Sequence, residues 1–180
     1  VPFATVFSSG FTETGTDQGR ALQAELVAAA RAAGVRFMGP NCNGMVNFVD
    51  GFALTSTATI TGPRLPSGDI AVISQSGGAG QVNTMWRAQE AGLGISYQVS
   101  CGNDADLDLL DYVTFALDSA MTRVVLVIAE KITDGAKLRR VAAHAAALGK
   151  PIVMIKIGRT EADARAAASH TGAITGSDAV

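Results

Sequence analysis

An α/β fold built on parallel sheet is the class that this 180-residue sequence predicts. Short runs rich in valine and isoleucine alternate with longer helical stretches, and this alternation is typical of βαβ units. The later strand candidates are continuous apolar runs, as expected where helices cover both faces of a sheet. Hydrophobic residues form 48% of the chain, so a globular core of ordinary size is expected.

The individual elements follow from this alternation. Strands are expected at residues 4–7, 36–38, 70–74, 95–100, 124–129 and 152–157. Helices are expected at residues 17–33, 81–91, 107–116, 134–148 and 161–168. Three of these helices are closely followed by a glycine, Gly34, Gly92 or Gly149, which favours the left-handed conformation that commonly ends a helix.

A stretch that is poor in periodicity and rich in turn-forming residues, 55–68, divides the sequence. We therefore expect two domains, residues 1–65 and residues 66–180. The chain opens without methionine inside a strand candidate, and it closes on what resembles the start of a helix. A fragment of a longer protein is therefore expected.

Composition excludes several function classes. The formal net charge is −2 and no basic stripe is present, so nucleic acid is not an expected partner. No apolar stretch is long enough to span a bilayer, so a membrane is not expected either. The two cysteines, Cys42 and Cys101, lack the spacing of metal ligands, and a secreted disulfide framework would use more of them. We expect a cytoplasmic protein with no metal site in this chain, and the sequence leaves its oligomeric state open.

A glycine-rich turn follows the strand candidate 70–74. Its residues are Ser76, Gly77, Gly78, Ala79 and Gly80, and a helix is expected to begin directly after them. Glycines let the backbone approach a ligand closely, while the N–H groups and the dipole of a helix N-terminus favour an anion. The turn is therefore a candidate phosphate site. The alternative is an ordinary strand-to-helix turn in which Ser76 only caps the helix.

The loop after the next strand candidate contains Asn103, which Asp104 and Asp106 follow. Loops at the carboxyl ends of parallel strands line one crevice, so this loop and the glycine-rich turn should share an edge of the sheet. Asp104 or Asp106 is expected to cap the helix that starts near Leu107. Asn103 has no such role, and it is therefore a second candidate for phosphate binding.

A carboxylate and a histidine complete the candidate site. Glu130 follows the strand candidate 124–129, and His170 lies in a run of small residues that leaves its ring accessible. Glu130 could accept a hydrogen bond from one imidazole nitrogen, so that the other nitrogen presents its lone pair to phosphorus. The alternative for Glu130 is a loop residue that pairs with Lys131 or faces solvent. The other histidine, His144, lies inside an alanine-rich helix and is expected to be structural or exposed.

These residues resemble, in order and spacing, the NDP-forming acyl-CoA synthetases, which are relatives of the succinyl-CoA synthetase α subunit. The motifs in the second domain are Ser74-Gln75-Ser76-Gly77, Gly102-Asn103-Asp104-Ala105-Asp106, Glu130 and Ser169-His170-Thr171-Gly172. Those in the first domain are Ser8-Ser9-Gly10-Phe11-Thr12-Glu13-Thr14-Gly15 and Gly39-Pro40-Asn41-Cys42-Asn43-Gly44. The resemblance implies that residues 1–65 are the C-terminal part of a CoA-binding Rossmann-like domain. It implies that residues 66–180 form a truncated flavodoxin-like, doubly wound domain with a phosphohistidine loop.

The activity that the resemblance implies converts an acid, CoA and ATP into acyl-CoA, ADP and phosphate. In that family a histidine on a mobile loop carries phosphate between the CoA site and a distant nucleotide site. His170 matches this histidine, Glu130 matches the acidic residue that hydrogen-bonds it, and the turn 76–80 matches the phosphate-holding helix N-terminus. ATP or ADP and Mg²⁺ would bind to an ATP-grasp domain or subunit that is absent from this chain.

The resemblance also implies where coenzyme A would bind. Asn41 and Cys42 match a loop near the thiol end of CoA, and Ser8 and Ser9 match a loop that touches its nucleotide portion. Cys42 has no activating base nearby in the sequence, so it is expected to pack near the thiol rather than act as a nucleophile.

The chain departs from the family pattern at several places. The first glycine-rich turn and first strands of the CoA domain are missing, so the fragment is not expected to complete a turnover alone. Gln81 stands where the succinate enzyme has a tyrosine that contacts substrate, and Asn43 replaces a proline. These two departures argue against succinate and leave another small carboxylic acid, or its acyl-CoA, as the substrate.

Two other function classes remain open at this level. The chain could belong to a CoA-binding regulatory module of a larger protein, such as those fused to acetyltransferases, although such modules would more readily dispense with the phosphohistidine. A flavodoxin-like domain could also bind flavin, and a colourless preparation would argue against that.

Overall fold

The computed structural model describes residues 1–57 and 66–158, and its elements are numbered here in chain order. The strands are β1 (Phe3–Thr5), β2 (Arg36–Met38), β3 (Gly44–Asn47), β4 (Phe52–Thr55), β5 (Ser67–Ser74), β6 (Ile95–Ser100), β7 (Val124–Ala129) and β8 (Ile152–Lys156). The α-helices are α1 (Asp17–Ala32), α2 (Met85–Glu90), α3 (Leu109–Asp118) and α4 (Gly135–Leu148). A 3-10 turn, Thr12–Thr14, precedes α1, and a π-helix, Gly77–Thr84, leads into α2. The expected helix 161–168 lies outside the described residues.

The α/β class is confirmed by the strand pairing. Four strands, β6, β5, β7 and β8, run parallel to one another. β3 and β4 extend the sheet with antiparallel pairing, in the order β4-β3-β6-β5-β7-β8. The strands β1 and β2 form a separate parallel pair that α1 connects. Since parallel strands need a crossover connection, each of these units is a βαβ arrangement.

The core lies on both faces of the larger sheet, which explains the continuous apolar strands. On β5, Ala71 and Ile73 belong to a large buried cluster with α3 and α4. Val72, on the opposite face, packs with Met85 of α2 and with Ile95. A strand that is buried on both sides has no polar face to alternate with, so its sequence becomes a run of apolar residues.

The hairpin of β3 and β4 was not expected from the sequence. Its turn is closed by the Asn47 side chain, whose Oδ1 accepts from the Asp50 N–H at 2.9 Å. Gly51 follows with a φ of +73°. β3 lies before the expected domain boundary, yet it pairs with β6 beyond it. The division at residues 65 and 66 therefore stays a prediction, and the larger sheet contains residues from both sides of it.

The start of one helix and the capping residue of another differ from those expected. The expected helix 81–91 begins earlier, as a π-helix from Gly77, and becomes α-helical only at Met85. The cap of α3 is Asp108, whose side chain accepts from the N–H groups of Leu110 and Asp111, so Asp104 and Asp106 were the wrong candidates. Asp108 lies directly before the first helical residue, which is the position from which a carboxylate reaches the free N–H groups of the first turn.

Gly34, Gly92 and Gly149 all have the left-handed backbone that the sequence predicts, with φ of +65°, +69° and +65°. Within residues 1–57 and 66–158, no helix is long and apolar enough to cross a membrane.

Candidate functional site

Three parallel strands end at the same level of the sheet and bring the candidate loops together. Ser74, the last residue of β5, is aligned with Ser100 of β6 and with Ile128 of β7. The backbone N–H of Gln75 donates to Ile128 O at 3.1 Å, and that of Cys101 donates to Ser74 O at 2.9 Å. The glycine-rich turn, the Asn103 loop and the Glu130 loop therefore leave the sheet side by side.

The glycine-rich turn has the geometry of a capped helix start. Ser76 is extended, with φ −80° and ψ +125°, and its side chain accepts from the Ala79 N–H at 3.3 Å. The capping role of Ser76 is thus confirmed. The first N–H groups of a helix lack partners within the helix, so the start of this one remains a suitable end for an anion.

The glycines of this turn serve different purposes. A Cβ on Gly77 would lie 2.3 Å from Asn43 Nδ2, and one on Gly80 would lie 2.2 Å from Ser74 Cβ. Gly78 has nothing within 4 Å of its Cβ position and is exposed. Gly77 and Gly80 therefore permit close packing of the turn, while the backbone at Gly78 is open, and phosphate binding by the turn stays a prediction.

Asn103 lies at a junction with the N-terminal residues. Its Nδ2 group lies 2.5 Å from Glu13 Oε2, 3.1 Å from Gln23 Oε1 and 3.2 Å from Thr12 Oγ1. Its Oδ1 accepts from Asn41 Nδ2 at 3.2 Å. The structure thus engages this side chain with residues 12–41, and phosphate binding by Asn103 stays a prediction.

Glu13 is held as a carboxylate by its neighbours. Burial alone would raise its pKa, but the hydrogen bonds from Asn103 and from the N–H groups of Gly10 and Phe11 outweigh burial and lower it. This carboxylate ties the loop after β1 to the loop after β6. The sequence did not predict a role for Glu13, because its contact with Asn103 joins residues 90 positions apart.

Asp104 and Asp106 each have a partner other than a helix N-terminus. Asp106 Oδ2 accepts from Arg36 Nε at 2.9 Å and from the Phe37 N–H at 2.8 Å, which ties the loop to β2. Asp104 has a left-handed backbone with φ of +57° and accepts a hydrogen bond from Gln75. Its pKa is raised by burial, against the opposing effect of that bond.

Glu130 is half-buried at the end of β7. Its pKa is raised by burial, while the positive charges of Lys131 and Lys156 act in the opposite direction. Lys131 donates its ammonium group to Asn103 O at 3.1 Å, and no ion pair between it and Glu130 occurs in the described part of the chain. His170 lies outside the described residues, so its hydrogen bond to Glu130 stays a prediction.

Gln75 is a site residue for which the sequence predicts no role beyond its place in the motif Ser74-Gln75-Ser76-Gly77. It is 5% exposed, and its side chain binds the backbone at Glu130 and Lys131 together with Asp104. No local pattern could reveal these contacts, since they join three separate strand ends.

The CoA candidates lie in the loops after β1 and β2. Ser8 and Ser9 are exposed, and Ser8 O accepts from the Asn41 N–H at 2.8 Å. Cys42 is buried and directs its thiol to Val6 O at 3.4 Å. Burial raises the pKa of Cys42 to about 11, so the thiol stays protonated near neutral pH.

A polar cleft of about 260 Å³ opens beside the strand ends. Its lining includes Gln75, Asn103 and Lys131, from the loops after β5, β6 and β7, together with Gln23 of α1. The expectation that these loops share one edge is thus confirmed. Within the described ranges, no group of three or more His, Cys, Asp or Glu side chains is arranged to hold a metal ion.

Comparison with known proteins connects this geometry to a family. The chain is 40% identical over 182 residues to the α subunit of ADP-forming acetate–CoA ligase I of Pyrococcus furiosus, covering 100% of this chain and 37% of the relative. It is 40% identical over 174 residues to ADP-forming acetate–CoA ligase I of Archaeoglobus fulgidus, covering 97% of this chain and 24% of the relative.

A solved structure is also similar to this chain over nearly its whole length. The dinucleotide-forming acetyl-coenzyme A synthetase 1 of Ca. Korarchaeum cryptofilum, in complex with phosphate and ADP, is 41% identical to this chain. The TM-score is 0.78, and the match covers 98% of this chain and 36% of that structure. The chain therefore spans about a quarter to two fifths of the length of these relatives. Residues 67–180 match the family described as the succinyl-CoA ligase-like flavodoxin domain, and the chain belongs to that family.

Proposed function

We propose that this chain is the phosphate-handling part of an NDP-forming acyl-CoA synthetase, which converts an acid, CoA and ATP into acyl-CoA, ADP and phosphate. The observation that carries the proposal is the alignment of Ser74 with Ile128. Ser76, in the turn proposed to bind an anion, and Glu130 each lie two residues beyond this paired position on neighbouring parallel strands. This supports a site in which a bound anion and a carboxylate able to orient an imidazole are side by side.

In the proposed mechanism the turn 76–80 holds a phosphoryl group through backbone N–H groups. Glu130 accepts a hydrogen bond from one nitrogen of His170, and the other nitrogen carries the lone pair that attacks phosphorus. In the direction of acyl-CoA synthesis, His170 first receives the γ-phosphoryl group of ATP at the nucleotide site, where the bond between phosphorus and the ADP oxygen breaks as the N–P bond forms. At the turn 76–80 a carboxylate oxygen of the acid then attacks phosphorus as the N–P bond breaks, and the CoA thiolate displaces phosphate from the resulting acyl phosphate. In the reverse direction His170 attacks the acyl phosphate, the bond between phosphorus and the acyl phosphate oxygen breaks, and the acid leaves as its carboxylate.

Coenzyme A, ATP or ADP, and Mg²⁺ are the partners that this reaction needs. Ser8 and Ser9 fit a role in CoA binding because both are exposed and Ser8 is hydrogen-bonded to Asn41. Nucleotide and Mg²⁺ would be held by an ATP-grasp domain or subunit outside this chain. A small carboxylic acid is the proposed substrate class, since the relatives at 40% identity are named for acetate. Two free buried cysteines support a cytoplasmic location.

The test uses the whole protein that carries this chain, together with its ATP-grasp portion, and Mg-ATP labelled at the γ-phosphate. We expect label that is labile in acid and stable in base on the wild type, and none on His170→Ala. His144→Ala is the matched control: His144 lies on α4 and is hydrogen-bonded to Asp118 of α3, and this variant should be labelled like the wild type. A folded wild type that acquires no label would refute the synthetase mechanism and favour the regulatory module.

A further inference from the structure

The side chain of Gln75 binds the peptide groups that carry Glu130. Its Oε1 accepts from the N–H of Glu130 at 2.6 Å and from the N–H of Lys131 at 2.9 Å. Its Nε2 donates to Lys131 O at 3.0 Å and to Asp104 Oδ2 at 2.5 Å. A glutamine amide has two donor hydrogens and two acceptor lone pairs, so these four contacts use its whole capacity.

Gln75 is itself held firmly. Its backbone N–H continues the pairing of β5 with β7 by donating to Ile128 O. Its side chain is 5% exposed, so few other rotamers are open to it. The amide is therefore a fixed group of the sheet end, and the loop that begins at Glu130 is fastened to it.

The loop that begins at Glu130 needs the hydrogen bonds with Gln75 because β7 ends at Ala129 and strand pairing no longer holds the backbone there. Ala129, the last residue of β7, still pairs with Lys156 of β8. The next N–H, that of Glu130, donates to Gln75 instead of to a strand. Fixing the peptide on the N-terminal side of Glu130 and the one after it defines the direction in which its side chain leaves the backbone.

We propose that Gln75 is a positioning residue that aims the Glu130 carboxylate at its imidazole partner and thereby speeds the transfer of phosphate to His170. This inference rests on the proposed function. A side chain that is displaced by about 1 Å can cost a reaction about a hundredfold in rate. Loss of the Gln75 amide should therefore slow phosphorylation of His170 by the acyl phosphate by about tenfold to a hundredfold and leave the affinity for ATP unchanged.

A double-mutant cycle in the whole protein separates positioning from a merely structural role. The rate of His170 labelling by acetyl-CoA and labelled inorganic phosphate, a reaction that passes through the acyl phosphate at the turn 76–80, is measured in a single turnover for Gln75→Met, Glu130→Gln and the double variant. If Gln75 acts through Glu130, Gln75→Met slows labelling in the wild-type background and adds nothing in the Glu130→Gln background. A structural role would slow both backgrounds equally and would overturn the proposal.

Gln98→Met provides the matched control. Gln98 is fully buried on β6, and within the described residues its amide has no hydrogen-bond partner. Its replacement should leave the labelling rate unchanged. If Gln75→Met does not fold, Gln75→Asn serves in the same cycle, because it keeps an amide but withdraws it by one methylene.

The possible outcomes distinguish this inference from the proposed function. A wild type without label refutes both. A labelled wild type with equally fast labelling of Gln75→Met, or of Gln75→Asn where that variant replaces it, overturns only the role of Gln75.

Discussion

Gly102→Ala should separate two loops that meet at the candidate site. Gly102 has a φ of +64°, and a Cβ there would lie 2.3 Å from Pro40 O and 2.4 Å from Asn41 O. Both neighbours are backbone atoms, which cannot rotate away as a flexible side chain would. The left-handed backbone costs alanine about 1–2 kcal/mol. The overpacking adds about 1–3 kcal/mol, for a total of about 2–5 kcal/mol.

Gly149→Ala isolates the first of these two costs. Gly149 has a φ of +65°, and nothing lies within 4 Å of its Cβ position. We expect it to lose only about 1–2 kcal/mol. Calorimetric thermal unfolding of the two variants in the same full-length background gives the comparison, and hydrogen exchange over residues 100–104 shows whether the loss is local. Equal destabilisation by both variants would refute the close approach of Gly102 to the loop at residues 40 and 41.

Three further predictions concern single side chains. Ser76→Ala should destabilise the protein by about 1 kcal/mol, measured by thermal unfolding, because the helix start loses its cap; an unchanged melting temperature would contradict this. The lowered pKa of Glu13 implies a stability contribution that is present above its ordinary pKa of 4.5 and lost as pH falls through the lower folded value. The melting temperature of Glu13→Gln should therefore fall less than that of the wild type between pH 6 and pH 3, and parallel curves would contradict this. Cys42, with a pKa of about 11, should have about one thiolate per thousand molecules at pH 8, so mass spectrometry should find slow alkylation by iodoacetamide; alkylation as fast as that of an exposed cysteine would contradict the burial.

The elements that the sequence predicted well are those with a strong local signal. β6 and β7 have the bounds expected from their apolar runs, and α1 differs from its expected range only at the last residue. For these segments the hydrophobic pattern and the flanking turn residues point to the same structure, so the local sequence is sufficient.

The hairpin of β3 and β4 shows where local signals end. Each of its strands has only four residues, and β3 begins with Gly44 and ends with Asn47. Both residue types are uncommon in strands, so propensity argues against a strand there. β3 forms because β6, about 50 residues later, offers it an edge. Long-range pairing overrides propensity here, and no periodicity records it.

The site shows the same division between local and distant information. The positions of Ser76 and Glu130 at neighbouring strand ends follow from the strand bounds and from the parallel class of the sheet. The contacts of Gln75 do not follow, because the amide bonds to groups 29 to 56 residues away. The π-helical pitch at Gly77–Thr84 could not be predicted either, since it is a property of backbone hydrogen bonding that apolar spacing does not report.

The contacts of Asn103 bear on which groups could hold an anion at the candidate site. Its Nδ2 group is engaged by the carboxylate of Glu13, and a hydrogen bond to a charged group contributes about 1.5–3 kcal/mol. If this amide group bound phosphate instead, the Glu13 carboxylate would lose one of its hydrogen-bond donors. The N–H groups at the start of the Ser76 turn require no such exchange. We therefore expect the turn, and not Asn103, to supply the main contacts to an anion at this edge. Asn103 instead holds the loop that contains Glu13 against the site through its hydrogen bond.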